Sequence, residues 1–202
     1  MKLGNQLPVM EEFLSVQGEG ANTGQVAWFI RLAGCDVGCT WCDVKDSWDA
    51  KNHPIKTVDE LLQNALSSGA KNIVVTGGEP ALYDLFPLTN ALKKHHLNTW
   101  LETSGSSKIT GLWDWICLSP KKFKAPLSEV LGLAHELKVI VLNKHDISWG
   151  LDFVKDVSST CKLYLQPEWD KRDKASEIII DFVTKNPNWR VSLQTHKYLD
   201  IQ

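Results

Sequence analysis

The chain carries at residues 26–42 the stretch VAWFIRLAGCDVGCTWC, in which an apolar run leads into a loop with three cysteines. The apolar part, residues 26–33, places β-branched and aromatic residues next to each other, which is typical of a strand covered on both faces in a parallel sheet. Six similar runs follow, each bounded by turn residues, at 72–76, 99–102, 115–118, 137–142, 163–166 and 190–193.

Helical patterns lie between these predicted strands. Thr57-Val-Asp-Glu60 forms a capping box, and the helix that it begins is expected to stop at Gly69. Further helices are predicted at 85–95, 127–136, 149–157 and 175–185. Alternation of strands and helices indicates right-handed βαβ units. Since a complete eight-fold barrel takes about 250 residues, the 202 residues predict an α/β fold, a partial and compressed barrel of parallel strands, in a single domain over residues 1–202.

The composition excludes several classes of protein. Hydrophobic residues make up 43% and charged residues 23% of the chain, which is ordinary for a globular domain and unlike a disordered or fibrous one. The apolar runs fall far short of the ~20 residues that cross a bilayer, and residues 1–10 contain no apolar signal segment. A net charge of −2 gives no basic footprint for nucleic acid. We therefore expect a cytoplasmic protein that binds neither membranes nor nucleic acids.

Polar motifs begin where six of the predicted strands end. In parallel α/β folds this edge of the sheet carries the active site. The coincidence of all six predicts one shared site. The motifs are the cysteine loop at 35–42, TGGEP at 76–80, ETSG at 102–105, SPK at 119–121, QP at 166–167 and QTHK at 194–197.

The cysteine loop has the spacing C-x3-C-x2-C at Cys35, Cys39 and Cys42. Three thiolates this close can hold one metal centre, and three ligands on a [4Fe–4S] cluster leave one iron open for a small molecule. Two alternatives remain from spacing alone. One is a zinc site with a further ligand nearby, and the other is a thioredoxin-type pair of Cys39 and Cys42.

With Trp41 just before the last cysteine and TGGEP at 76–80, the chain resembles the radical S-adenosylmethionine (SAM) superfamily. The resemblance implies a radical SAM (βα)6-type barrel in which the three cysteines hold the cluster and SAM occupies its open iron. It also implies that Glu79 receives the methionine amino group. Reduction by a flavodoxin or a ferredoxin would then release a 5′-deoxyadenosyl radical.

The substrate is indicated by the segment FLSVQGEG at 13–20 and by Arg31. Gln17 and Glu19 offer donors and acceptors to the edge of a heterocycle, and Arg31 could bind a carboxylate through two hydrogen bonds. Together with the ending QTHKYL at 194–199, these residues make the chain similar to the family of 7-carboxy-7-deazaguanine synthases. The resemblance, which covers nearly the whole chain, implies a homodimeric lyase of deazapurine (preQ0/queuosine) biosynthesis. Its substrate would be 6-carboxy-5,6,7,8-tetrahydropterin, whose ring contracts with loss of ammonia.

The resemblance also assigns roles to individual residues. Those expected at the substrate are Val16, Gln17, Gly18, Glu19, Arg31, Thr76 and Gln202. Those expected at SAM are Trp41, Cys42, Asp43, Gly78, Glu79, Glu102, Ser104, Ser119, Pro120 and Lys121. Beyond the cofactors, the one candidate acid or base is His196, whose ordinary pKa lies near neutrality.

One position departs from the family pattern. The family places beside the substrate a Mg2+ ion whose protein ligand is a Thr or Ser hydroxyl, and here Val44 occupies that position. Mg2+ prefers six oxygen ligands and keeps several waters, so a site built from substrate and water remains open. Thr40, Asp43, Asp46 and Ser47 are possible substitutes between which the spacing does not choose.

Two other functions compete with this interpretation. A radical activase that acts on a glycine of a protein partner would share the cysteine spacing. The substrate segment at 13–20 and Arg31 favour a small polar heterocycle instead. A zinc-stabilised binding module without catalysis is the alternative from another class, and iron content would distinguish it.

Overall fold

A computed structural model describes residues 5–202, so four residues of the predicted domain lie outside the described part of the chain. The strands of this part are β1 (Gln6–Val16), β2 (Val26–Leu32), β3 (Ile55–Thr57), β4 (Asn72–Gly77), β5 (Asn98–Thr103), β6 (Trp115–Leu118), β7 (Glu136–Val141), β8 (Lys162–Pro167) and β9 (Trp189–Val191). They form one sheet in the order β3-β1-β2-β4-β5-β6-β7-β8-β9.

The seven predicted strands are confirmed, and each is parallel to its neighbour from β2 through β9. The sheet is open, because its edge strands β3 and β9 do not pair with each other. Two further strands, β1 and β3, were not predicted from the sequence and are antiparallel: β1 pairs with β2, and β3 pairs with β1. The sequence of β1 hides this strand, because Pro8 and the adjacent Glu11 and Glu12 interrupt its apolar pattern and a bulge shifts its register between Val9 and Glu11.

The helices of the described residues are α1 (Val58–Ser67), α2 (Phe86–Lys94), α3 (Ser128–Leu131), α4 (Lys144–Leu151), α5 (Arg172–Val183) and α6 (Thr195–Leu199). The predicted capping box of α1 is confirmed. Thr57 Oγ1 accepts the Glu60 amide at 3.2 Å, and the Glu60 carboxylate accepts the Thr57 amide at 2.7 Å. None of these helices is both long and apolar enough to cross a membrane.

Two predicted helices were misplaced. The pattern at 127–136 is helical only over α3, and its last residue, Glu136, is the first residue of β7. The pattern at 149–157 belongs to α4, which starts five residues earlier and ends at Leu151. A second capping box explains the early start, since the side chain of Asn143 accepts the His145 amide while Asp146 accepts the Asn143 amide. Asp in place of the usual Glu or Gln concealed this motif in the sequence.

The two faces of the parallel strands differ in chemistry. One face packs under α1, α2 and α5 and is apolar, with strand side chains such as Ile73 and Leu137 fully buried. The opposite face is apolar near the start of the strands and polar towards their ends. Phe29 and Val74 belong to a small buried cluster at the start. The inner positions further along are charged or polar, and the polar end of the barrel interior is where the candidate site lies.

The capping box gives a test of local stability. Thr57→Ala removes the side-chain acceptor for the Glu60 amide, so we expect the free energy of unfolding to fall by about 1 kcal/mol. Urea unfolding measures this difference. The exposed Ser148, inside α4, caps nothing, and its replacement by Ala should change stability by less than about 0.5 kcal/mol. Equal effects of the two substitutions would contradict the assignment.

Candidate active site

A cavity of about 700 Å3 opens at the carboxyl ends of the parallel strands. Its inner wall is polar and carries Arg31 from β2, Thr76 from β4, Glu102 from β5 and Lys138 from β7. All six polar motifs that follow strand ends contribute residues to the lining: Cys35, Gly78, Ser104, Ser119, Gln166 and Gln194 are examples. The prediction that these motifs share one site is therefore confirmed.

The three predicted cluster cysteines all face this cavity, and none forms a disulfide. Among the described residues, no group of three His, Cys, Asp or Glu side chains is placed to hold a single metal ion. The donor set of three thiols suits a polynuclear cluster, whose irons are bound one by one. It does not provide the four converging ligands of a structural zinc site. Burial raises the pKa of the Cys39 thiol to about 11.

Glycines of the TGGEP segment let the cysteine loop pack directly on the next strand. Gly77 has φ +145°, and a Cβ on it would lie 2.1 Å from the Leu32 carbonyl oxygen. A Cβ on Gly78 would lie 2.4 Å from the Gly34 carbonyl oxygen. Two backbone hydrogen bonds fill this space instead, from the Gly78 amide to Leu32 and from the Glu79 amide to Gly34, at 3.0 and 2.9 Å.

Ion pairs hold the cysteine loop on both sides. Asp36 accepts Lys124 Nζ at 2.6 Å, which connects the loop to the segment after β6. Asp43 accepts Lys197 Nζ at 2.8 Å, which connects it to α6. Each pair joins an exposed carboxylate to a lysine on another element. Exposed ion pairs add little to the free energy of unfolding, so we attribute to these pairs the position of the loop more than its stability.

Eight of the ten residues expected at SAM line the cavity: Trp41, Cys42, Asp43, Gly78, Glu102, Ser104, Ser119 and Lys121. Pro120 and Glu79 are not part of the lining. Glu79 is 1% exposed, and its carboxylate accepts the Ala81 and Ser104 amides as well as the Thr103 and Ser104 hydroxyls. In this structure Glu79 holds the end of β5 in place without being part of the cavity lining. Its contact with the methionine amino group stays a prediction.

All seven residues expected at the substrate line the cavity: Val16, Gln17, Gly18, Glu19, Arg31, Thr76 and Gln202. The Arg31 guanidinium uses its Nε to hold Glu11 at 2.6 Å. The other oxygen of Glu11 accepts the Gln202 side-chain amide at 2.7 Å. Glu11 therefore orients Arg31 through one nitrogen and leaves the rest of the guanidinium available at the cavity wall.

Residues 17–21, here called the entry loop, cross the inner face of the sheet after β1. The Gly18 carbonyl oxygen accepts the Thr195 amide at 2.9 Å. The Gly20 amide donates to Ser192 Oγ and the Ala21 amide to Glu136, both at 2.9 Å. The loop thus joins the antiparallel edge of the sheet to its opposite end at β9.

His196 packs against the entry loop. A Cβ on Gly18 would lie 2.2 Å from His196 Nδ1, so this glycine leaves room for the imidazole. Burial lowers the pKa of His196, while the nearby charge of Glu19 opposes this change. The ring lines the cavity, where a neutral imidazole can both donate and accept a hydrogen bond.

The candidates for a Mg2+ ligand separate by position. Val44, Thr40 and Asp43 line the cavity, whereas Asp46 and Ser47 do not. Ser47 is 1% exposed, and its hydroxyl donates to the Val44 carbonyl oxygen at 2.6 Å. Of the substitutes considered from sequence, the structure leaves Thr40 and Asp43 within reach of a ligand in the cavity.

Sequence reasoning missed Glu136 and Lys138 on β7, which hold the entry loop. It placed the motif of Gln194 at the site but did not assign the contact of Gln194 with this loop. A signal was present, because a lysine interrupts the apolar run at 137–142, where a strand covered on both faces should be uniformly apolar. Such a residue inside a buried strand indicates an inward-facing polar site.

Comparisons with known proteins agree with this geometry. Residues 29–116 match the family model of the radical SAM superfamily. The chain is 53% identical to the 7-carboxy-7-deazaguanine synthase of Flavobacterium psychrophilum, over 98% of this chain and 94% of that one. It is 35% identical to the synthase of Escherichia coli K12, over 97% and 99%. The crystal structure of QueE from Escherichia coli superposes with a TM-score of 0.84 at 32% identity and covers 93% of each chain.

The contacts of the entry loop predict a difference between Gly20, which belongs to the loop, and Gly24, which follows it. Gly20 (φ +66°) and Gly24 (φ +90°) both have a backbone conformation that costs an alanine about 1–2 kcal/mol. A Cβ on Gly20 would also lie 1.9 Å from Glu136 Oε1, while Gly24 has open space. We expect Gly20→Ala to lower the free energy of unfolding by about 1–3 kcal/mol more than Gly24→Ala does. Urea unfolding of both variants measures this, and equal losses would refute the loop contact.

Proposed function

The chain belongs to the 7-carboxy-7-deazaguanine synthase family of radical SAM enzymes, and on this premise we propose how its cavity performs the family reaction. The substrate is 6-carboxy-5,6,7,8-tetrahydropterin, and the product is 7-carboxy-7-deazaguanine, formed by ring contraction with loss of ammonia. One observation carries the proposal: the three thiols of the cysteine loop, Arg31 and the entry loop line the same cavity. Its volume lies within the range of small-molecule sites.

The cysteine side of the cavity holds the cofactors. Cys35, Cys39 and Cys42 bind a [4Fe–4S] cluster. When bound, this cluster and SAM supply one-electron cleavage of the cofactor to a 5′-deoxyadenosyl radical. Gly78 and Ser104 present backbone and hydroxyl groups to SAM, and Lys121, whose Nζ lies 5.8 Å from the Trp41 ring centroid, closes that end of the site.

The opposite side of the cavity recognises the pterin. Arg31 binds the substrate carboxylate through the guanidinium nitrogens that Glu11 does not use. Gln17 and Glu19 supply side-chain amide and carboxylate groups to the polar edge of the ring. We assign Glu102, which the resemblance places at SAM, to this side as well, because its carboxylate accepts the Gln17 side-chain amide at 2.9 Å. Phe13 stacks on Phe29 with a centroid distance of 5.0 Å and gives the wall beside Arg31 an apolar surface. The ring is thus fixed by directional contacts while apolar groups exclude water.

Magnesium is part of the proposal, although the family's ligand position is occupied by Val44. The substrate carboxylate and water provide most of the oxygens that Mg2+ needs. Thr40 and Asp43 are the oxygen-bearing side chains of the cysteine loop that face the cavity. We expect the ion to bind more weakly than it would with a hydroxyl at position 44.

Other properties are proposed from the resemblance. A flavodoxin or a ferredoxin supplies the electron, and the protein is a homodimer. Each chain is a single domain, which is supported by the one nine-stranded sheet of the described residues. A cytoplasmic location fits the five free cysteines, since the cytosol keeps thiols reduced. Sedimentation of the native protein tests the dimer.

Anaerobic turnover of the reconstituted protein tests the function. With SAM, a low-potential reductant, Mg2+ and 6-carboxytetrahydropterin, we expect 7-carboxy-7-deazaguanine by liquid chromatography and mass spectrometry. Cys42→Ala removes a cluster ligand and should abolish product and 5′-deoxyadenosine together. Cys161→Ala, which removes a buried thiol outside the cavity, should keep both activities.

The failure modes of this assay separate the alternatives. Cleavage of SAM without formation of deazaguanine would support the radical SAM chemistry but refute the assigned substrate. A radical activase would give this result. Colourless protein with zinc in place of iron would refute the cluster itself. The alternative functions are not favoured by the comparisons.

Position 44 gives a separate prediction. Val44→Thr restores a hydroxyl where the family has one, and we expect the Mg2+ concentration for half-maximal turnover to fall roughly tenfold, the equivalent of about 1.4 kcal/mol. Titration of turnover with Mg2+ after chelation measures it. Val37→Thr adds the same group elsewhere on the cysteine loop and should leave the half-saturating concentration unchanged. No difference between the two variants would show that residue 44 does not reach the ion.

A further inference from the structure

Five polar side chains form a continuous chain along the cavity wall. Gln17 Nε2 donates to Glu102 Oε1 at 2.9 Å, and Lys138 Nζ lies 3.1 Å from Glu102 Oε2. The same Lys138 nitrogen lies 2.5 Å from Glu19 Oε2, and Gln194 Nε2 donates to Glu19 Oε1 at 2.9 Å. Each carboxylate therefore has one oxygen on the shared ammonium and one on an amide.

Lys138 is the centre of this chain and is almost completely enclosed. Its side chain is 2% exposed, whereas the Glu19 and Glu102 side chains are 20% and 22% exposed. Burial of an ammonium is unfavourable unless paired carboxylates compensate for it. Here the two carboxylates project from the entry loop and from β5, so Lys138 connects segments 119 and 36 residues away in sequence.

The electrostatics of the pocket agree with the contacts. Burial would raise the pKa of Glu19, but the charge of Lys138 and hydrogen bonds from Lys138 and Gln194 lower it to about 2. Burial would lower the pKa of Lys138, but the surrounding acidic groups raise it well above its ordinary value. Other titratable groups near the pair are Glu136, Cys117, Lys121 and His196.

We propose that Lys138 is a positioning residue for the ring contraction, acting through Glu102 and Glu19 rather than on the substrate itself. Two carboxylates this close would repel each other without a cation between them. With Lys138 in place, both carboxylates keep one fixed orientation, and the entry loop stays against β5. The inference rests on the proposed function for its catalytic consequence but not for its structural one.

Two variants distinguish the specific effect of losing Lys138 from the general effect of losing an ion-paired lysine. Lys138→Met keeps the length of the side chain and removes its charge. Lys93→Met is the matched control, because Lys93 Nζ pairs with Asp114 at 2.6 Å but lies outside the cavity. Both are made in the full chain and reconstituted anaerobically with cluster and SAM.

Hydrogen–deuterium exchange provides the structural readout. In Lys138→Met we expect amides of the entry loop to exchange about tenfold or more faster, because a hydrogen bond to a charged group is lost. Amides of β2 should be unaffected, and Lys93→Met should leave the entry loop as in the wild type. Lys138→Arg, which keeps the charge, should restore much of the protection. Unchanged exchange of the entry loop in Lys138→Met would overturn the proposal whether or not the wild type makes deazaguanine.

Turnover provides the catalytic readout. We expect Lys138→Met to form 7-carboxy-7-deazaguanine about 100-fold more slowly, the loss typical of a misplaced catalytic geometry. Its cleavage of SAM in the absence of pterin should stay within about threefold of the wild type, because the cysteine side is untouched. Deazaguanine formation at the rate of Lys93→Met would overturn the proposal. If the wild type forms no deazaguanine, the proposed function is refuted instead. The hydrogen–deuterium exchange result then tests the structural role of Lys138 by itself.

Discussion

The buried ion pair between Lys138 and Glu19 is the interaction on which the cavity depends. The sheet is open, so no strand pairing joins β9 to the antiparallel edge at β1 and β3. The entry loop spans that distance instead, and its contacts with β7 and the segment after β9 fix it there. Without the charge of Lys138 on β7, the loop would place the Glu19 carboxylate in the cavity wall without a cation, which is unfavourable.

The two sides of the cavity are built by different physical means. On the cysteine side, backbone packs on backbone, and the absence of Cβ atoms at Gly77 and Gly78 permits the approach. On the pterin side, charged side chains set the distances, as in the chain from Gln17 to Gln194. Backbone contacts tolerate changes of side-chain chemistry, whereas a charge network does not. Variation of substrate within this fold therefore requires changes on the pterin side while the cofactor side can stay the same.

The sequence alone predicts the parallel strands and the convergence of six motifs, because hydrophobic periodicity and the position of strand ends are local properties. It identifies the three cysteines by spacing and the capping box at Thr57 by residue type. It does not reveal β1, because Pro8, Glu11 and Glu12 interrupt the apolar pattern of this strand and a bulge shifts its register against β2. Lys138 does leave a signal, because it interrupts an apolar run, but its partners Glu19 and Glu102 lie 119 and 36 residues away, and the sequence does not identify them.

Glu79 illustrates why motif knowledge alone cannot assign a contact. The resemblance of the TGGEP segment predicts that its carboxylate binds SAM, yet both oxygens accept hydrogen bonds from Ala81 and from the end of β5. A carboxylate that accepts four hydrogen bonds is held in one orientation. From behind the wall it can act on the cavity by fixing the Ser104 backbone and by its field. The positions of the neighbouring hydrogen-bond donors decide whether a residue contacts a ligand directly or supports another residue that does. The spacing of a sequence motif does not encode those positions.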